Sequence, residues 1–193
     1  MRVRQAQFRR AADAIAADLA KIGEVRAVAL FGSLARTLVR EVPRFQPFKR
    51  HGIEILHECG DIDLAVAIDR LDNLATLNRA RSRAVDNLLK ETGIGVAHHQ
   101  VDVFLFGKGW NDYLGRLCTF GQCPKGKAEC LTPGCGRELF LKQQEGFVLE
   151  PDALAADRAV PLYERGRGFL RRASDIDATS LSSEPAATGA TPT

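Results

Sequence analysis

The sequence predicts an α/β protein of the α+β type: a small mixed β-sheet flanked by helices, followed by a Cys-rich, zinc-binding C-terminal extension. Three observations carry this prediction. Apolar residues recur at helical steps in two long segments, residues 5–22 and 71–92. Three short runs rich in β-branched and apolar residues alternate with them, at 25–31, 62–68 and 101–106. Four of the five cysteines fall between residues 118 and 135, among glycines and prolines.

Phe8, Ala12, Ile15, Leu19 and Ile22 stand three or four residues apart, which makes the first helix amphipathic, and Gly23 suits its stop. VRAVALF (25–31) reads as a buried strand, and GSLAR then turns into a helical segment. Pro43 and Pro47 break any periodicity across 37–60, where IEILHE (53–58) reads as an extra strand. IDLAVAI (62–68) is a strand by length and β-branching. Leu71, Leu74, Leu77, Ala84, Val85, Leu88 and Leu89 give a helix ending near Thr92-Gly93, and VDVFLF (101–106) is the third strand. The expected division is a core over 1–110, a Cys-rich and helical extension over 111–172, and a small, polar, disordered tail over 173–193.

With 193 residues, 45% hydrophobic and 26% charged, the chain has the composition of a globular protein. No apolar run approaches the ~18 residues that span a bilayer. Four of the first ten residues are arginine, but no continuous apolar core follows, and Asp13 and Asp18 speak against a transit peptide. A cytoplasmic protein without a membrane partner is the expectation. The net charge of +3 is mild, yet it is unevenly spread. Residues 36–50 hold five cations (Arg36, Arg40, Arg44, Lys49, Arg50) against Glu41, and a second cluster holds Arg165, Arg167, Arg171 and Arg172. Both read as solvated faces or as surfaces for a polyanion.

The chemistry lies in GDIDLAV (60–66). Alternate side chains of a strand share a face, so Asp61 and Asp63 point one way and Ile62, Leu64, Val66 and Ile68 the other, into the core. Two neighbouring carboxylates repel, and a divalent cation is the simplest remedy. Hard oxygen ligands suit Mg²⁺, which keeps waters and takes substrate phosphates. Asp102, in a strand of the same apolar type, supplies a third oxygen if the strands are neighbours. Gly32 and Ser33 follow the first strand directly; Gly32 permits close backbone approach, and Ser33 is either a phosphate contact or merely a helix cap.

VALFGSLAR, GDIDLAVAI and QVDVFLF together resemble the minimal nucleotidyltransferase domain of the DNA polymerase β superfamily, over roughly residues 25–107. The resemblance implies that Gly32 and Ser33 hold a nucleoside triphosphate, with Arg36 as a further phosphate contact. It implies that Asp61, Asp63 and Asp102 bind Mg²⁺, and that Asp102 serves as base. The implied activity is transfer of a nucleoside monophosphate from a triphosphate, ATP by default, to a protein side chain, an RNA end or a small hydroxylated molecule. Two departures stand out. Thr37 follows Arg36 where family members usually carry glycine, and the interval from Ser33 to Asp61 is longer than usual. That insertion carries the basic stretch with Phe45 and Phe48, which either pack or face a nucleic-acid acceptor.

Cys118, Cys123, Cys130 and Cys135 are separated by four, six and four intervening residues. In a cytoplasmic protein four thiolates suit a structural Zn²⁺ better than disulfides. Cys59 reads as a plain buried thiol, with His57 as a distant substitute ligand, and of the adjacent His98 and His99 at most one faces the site. Two further readings remain beside the enzyme. One is a zinc-bearing module that binds nucleic acid or a protein partner; the other is an antitoxin-type regulatory protein that acts through a partner chain.

Overall fold

Residues Arg2–Leu19 form α1, its apolar stripe of Phe8, Ala12, Ile15 and Leu19 fully buried. The computed structural model of the chain describes residues 2–37, 40–41, 50–51, 55–56, 60–120, 139–143, 147–150 and 152–176. After α1 come β1 (Val25–Phe31), a single 3-10 turn (Gly32–Ala35), and the two-residue strands β2 (Arg40–Glu41) and β3 (Ile55–Leu56), which pair with each other. Then follow β4 (Ile62–Ile68), α2 (Leu74–Thr92), β5 (Val101–Phe106), β6 (Tyr113–Leu117), β7 (Leu141–Lys142), β8 (Val160–Glu164) and β9 (Gly168–Phe169). Gly93 closes α2 in the left-handed conformation, as a glycine at that position favours.

Seven of these strands make one sheet in the order β7-β6-β5-β4-β1-β8-β9, giving a mixed α+β fold. Only β4 and β5 run parallel; α2 is the crossover that a parallel pair requires. The three strands expected from sequence lie side by side at the centre, with β4 in the middle. Their alternation sorts side chains onto two faces. Val28 and Leu30, Ile62, Leu64, Val66 and Ile68, and Val103 and Leu105 pack against α1 and α2 in the main core. Ala29, Phe31, Ala65, Phe104 and Phe106 occupy the opposite face, partly covered by Tyr113, Phe147, Leu149, Ala153 and Leu154.

The expected helical character of 111–172 is corrected. The described residues of that region contain no α-helix; they form strands and turns, and β6 and β8 extend the central sheet on both sides. Tertiary pairing overrides local preference here, because each of these strands is only two to five residues long. Cys59, His57, Phe45, Phe48, Cys123, Cys130, Cys135 and residues 177–193 lie outside the described residues. Among the described residues, no helix is long and apolar enough to cross a membrane.

Candidate active site

β4 is flanked by β1 and β5, and its register decides what surrounds its first aspartates. Asp63 stands opposite Asp102 across the parallel β4–β5 ladder and opposite Phe31 across the antiparallel β1–β4 ladder. Neighbouring strands lie about 4.8 Å apart, so Asp63 and Asp102 are adjacent on one face. Asp61, just before β4, is exposed. Gln100 ties this corner together: its amide donates to the Gly60 carbonyl at 3.2 Å, while its own oxygen accepts from Ala97 N–H and Arg4. The residue just before Asp61 is thereby linked to the one just before β5.

Gly32 follows β1 with φ +74°, in the left-handed region where other residues are strained. A Cβ added there would stand 2.5 Å from the Asp63 carboxylate oxygen Oδ2. Glycine is therefore required twice, by the backbone and by the carboxylate. The turn itself is held from below by Arg9 of α1, which is buried. Its guanidinium donates to the Leu34 carbonyl at 3.2 Å and to the Arg36 carbonyl at 2.7 Å. The helix expected after Gly32 is thus corrected to one 3-10 turn of four residues ending at Arg36, too short to build a useful dipole. Leu34 and Ala35 are its buried members, as the helix-side core demands.

Asp63 is half-buried and accepts no hydrogen bond from any described residue. Burial raises its pKa to about 6, and the neighbouring charges of Asp102 and Asp61 add to the rise, against a smaller opposing pull from Arg116. Asp102 has a partner: its Oδ2 accepts from Arg116 Nη1 at 2.9 Å. The Arg116 guanidinium also lies 5.2 Å from the Phe104 ring centre and 5.5 Å from that of Phe147. Tyr113 completes this aromatic surround, and burial pushes its phenol up to about 12, so it stays protonated.

A cavity of about 500 Å³ opens beside these groups. Gly32 and Asp63 form one end; Phe31, Phe104 and Phe147 give an aromatic wall; Arg36 supplies positive charge, and Arg158 lies there paired with Asp152 at 2.7 Å and with the lining Glu150 at 3.7 Å. The structure therefore brings Gly32, Asp63, Asp102 and Arg36 together, with Asp61 at the open edge and Ser33 in the adjoining turn. Cys118 is half-buried beyond the end of β6, and the other three expected zinc ligands lie outside the described residues. His98 and His99 are exposed, and His98 faces Asp86 rather than the carboxylates. Arg9, Gln100 and Arg116 carry no sequence signal as site residues, because each matters through a partner 14 to 96 residues away.

In their present positions no three Asp, Glu, His or Cys side chains among the described residues converge closely enough to hold a metal ion. The donor set nonetheless has the chemistry of a Mg²⁺ site: three hard carboxylates, of which Asp61 and Asp63 accept no hydrogen bond from a described residue, beside a glycine that leaves space against Asp63. Comparison of the chain with models of known protein families, with curated proteins and with solved structures finds no match.

Proposed function

We propose that this protein is a Mg²⁺-dependent nucleotidyltransferase that moves a nucleoside monophosphate from a nucleoside triphosphate to an acceptor hydroxyl. One observation carries the reading. A half-buried carboxylate, Asp63, sits among like charges with no described donor, against a glycine whose missing Cβ leaves it accessible. Such a group costs stability and is kept where a cation or substrate makes use of it.

Asp61, Asp63 and Asp102 are the residues that would hold Mg²⁺. The metal, when bound, supplies neutralisation of the triphosphate and a more acidic acceptor hydroxyl. The rest falls to the chain's own groups. Gly32 and Ser33 present backbone to the phosphates, and Arg36 offsets their charge. Phe31, Phe104 and Phe147 exclude water on the other side and offer faces to a ring. The acceptor oxygen attacks the α-phosphorus, the bond to the pyrophosphate oxygen breaks, and Asp102 takes the hydroxyl proton. Arg116 orients that carboxylate and is a positioning residue. ATP is the default donor by its abundance, not because any described residue reads adenine, and the acceptor is a protein side chain, an RNA end or a small hydroxylated molecule.

The test incubates the protein with each α-labelled nucleoside triphosphate, Mg²⁺ and a cell extract, beside the Asp61→Ala/Asp63→Ala variant. Label should pass to protein, RNA or a small molecule with the intact chain alone, and the variant should lose about 1000-fold or more. If no label moves, and nucleotide binding is equal in the variant, a binding module replaces the enzyme.

A further inference from the structure

The second basic cluster of the sequence stays unused by the site above, and one of its members, Arg165, lines a pocket elsewhere in the fold. At the far end of β1, six residues and thus roughly 20 Å from Gly32, a separate cavity of about 500 Å³ opens between the β5–β6 loop and β8. Its walls are Trp110 and Tyr163, and its cations are Arg26, Lys108 and Arg165. Its floor includes Ala27 and Ala67, which face each other across the β1–β4 ladder and leave the space unfilled.

The loop that presents Lys108 and Trp110 is pinned. Gly107 N–H donates to the Asp112 carbonyl at 2.8 Å, Asp112 N–H to the Gly109 carbonyl at 3.0 Å, and Lys108 N–H to Asp112 Oδ2 at 3.1 Å. Arg26 adds hydrogen bonds to the Gly107 and Lys108 carbonyls. Gly107 has to be glycine, since a Cβ would collide with the Asp112 carboxylate at 2.1 Å. Asp69 fixes the other rim, accepting from Arg165 at 2.7 and 3.2 Å and pairing with Arg26 at 3.2 Å.

Arg26 is thereby consumed by structure. The Lys108 ammonium is not: it has no acceptor among the described residues. Trp110 rests edge-on against Phe106, with centroids 5.4 Å apart, and keeps 37% of its surface exposed, so one indole face borders the cavity. Counting the rim and its loop, Arg26, Lys108, Arg165 and Arg167 stand against Asp69, Asp112 and Glu164, a balance of +1. A rigid aromatic face beside an unpaired ammonium is the chemistry that recognises a planar ring carrying a phosphate.

We propose that this cavity binds a nucleotide unit, its ring stacked on Trp110 and its phosphate held by Lys108, at a site separate from the carboxylates. The unit is either a free mononucleotide or one residue of a single-stranded nucleic acid. Trp110 is the chain's sole tryptophan, and it borders both this cavity and a neighbouring one beside Phe147, so the Lys108 variants assign its fluorescence change to this pocket.

The experiment titrates the full chain with AMP, adenosine, ribose 5-phosphate and a short single-stranded oligonucleotide, following tryptophan emission and, in parallel, heat. AMP should quench saturably, and removal of either ring or phosphate should weaken binding by about tenfold, the worth of one stack or one charged contact. Lys108→Ala should weaken AMP by about tenfold, Lys108→Arg should restore most of it, and Asp63→Asn should change nothing. Lys108 is exposed, so its loss leaves folding intact, which circular dichroism checks. Tighter binding by AMP or by the oligonucleotide supports the proposal in both cases and names the source. No quenching by any of the four overturns it. So does equal affinity for ribose 5-phosphate and AMP, unaltered binding by Lys108→Ala, or a change caused by Asp63→Asn.

Discussion

The two faces of the central sheet are drawn from the same strands by alternation, and they differ in nearly every physical respect. Toward α1 and α2, β4 presents Ile62, Leu64, Val66 and Ile68, all at most 1% exposed, in a mainly aliphatic core. Toward the other side the same strand presents Asp63, Ala65 and Ala67, and its neighbours add Phe31, Asp102, Phe104 and Phe106. The first face is sealed by two long helices. The second is covered in part by the segment Phe147–Ala159, whose gaps are cavities. A strand thus carries stability on one side and, on the other, groups that cost stability. That division separates residues that pack the core from residues the proposed reading assigns to chemistry.

The largest expected effect lies on the helix face. Leu64→Ala removes a wholly buried side chain from the middle of the sheet and should destabilise the protein by about 3 kcal/mol. Urea denaturation should show a lower midpoint with an unchanged slope. A loss below about 1 kcal/mol would mean that this face is not the stabilising one.

The other face should respond in the opposite direction. Asp63 is raised from an ordinary 3.8 to about 6. Between those values the folded protein holds a proton that the unfolded chain has released. The group's contribution is therefore fully present below pH 4 and is lost as pH rises through about 6. Asp63→Asn escapes that loss and should be the more stable protein at pH 7.5, by about 2 to 3 kcal/mol, with the gain fading toward pH 4. Paired denaturation curves at several pH values test this. A variant less stable than the parent at pH 7.5, or a difference that ignores pH, contradicts the contrast.

How much of this was legible in the sequence follows from the same geometry. β1, β4 and β5 were read to the residue, because their signals are local: six or seven apolar, β-branched residues between polar breaks. α2 was legible from its repeat and from Gly93. The pairing of Asp63 with Asp102 was only conditional, since alternation orients each side chain but does not say which strands are neighbours. β6 to β9 were not legible at all, being short and stabilised by partners far away in the chain. With β6 went Arg116, the guanidinium beside Asp102. Arg9 was misplaced for a related reason. It reads as one of several N-terminal charges, yet it is 1% exposed and holds the Gly32 turn by its carbonyls.

A smaller effect is expected at the junction of the two faces. Gly32→Ala combines an unfavourable φ with contact against Asp63 and should cost about 2 kcal/mol. In an Asp63→Ala background the contact disappears while the backbone term stays, and the cost should fall to about 1 kcal/mol. A double-mutant cycle with no coupling would show that the glycine serves the turn alone, independent of the carboxylate.

The smallest predicted effect concerns the charge that balances the site. Arg116 holds Asp102 at 2.9 Å and is the one cation that opposes the rise of the Asp63 pKa. Arg116→Met keeps most of the side-chain volume against Phe104 and Phe147 and removes the charge. The Asp63 titration, followed by carboxyl carbon resonances, should move upward from about 6, by less than about one unit because burial and the two aspartates dominate. Stability at pH 7.5 should fall by about 1 kcal/mol, as for loss of one half-exposed ion pair. A downward shift would contradict the assignment of Arg116 as a charge that holds the Asp63 pKa down, and with it the picture of a carboxylate whose proton affinity is set by burial and by its neighbours.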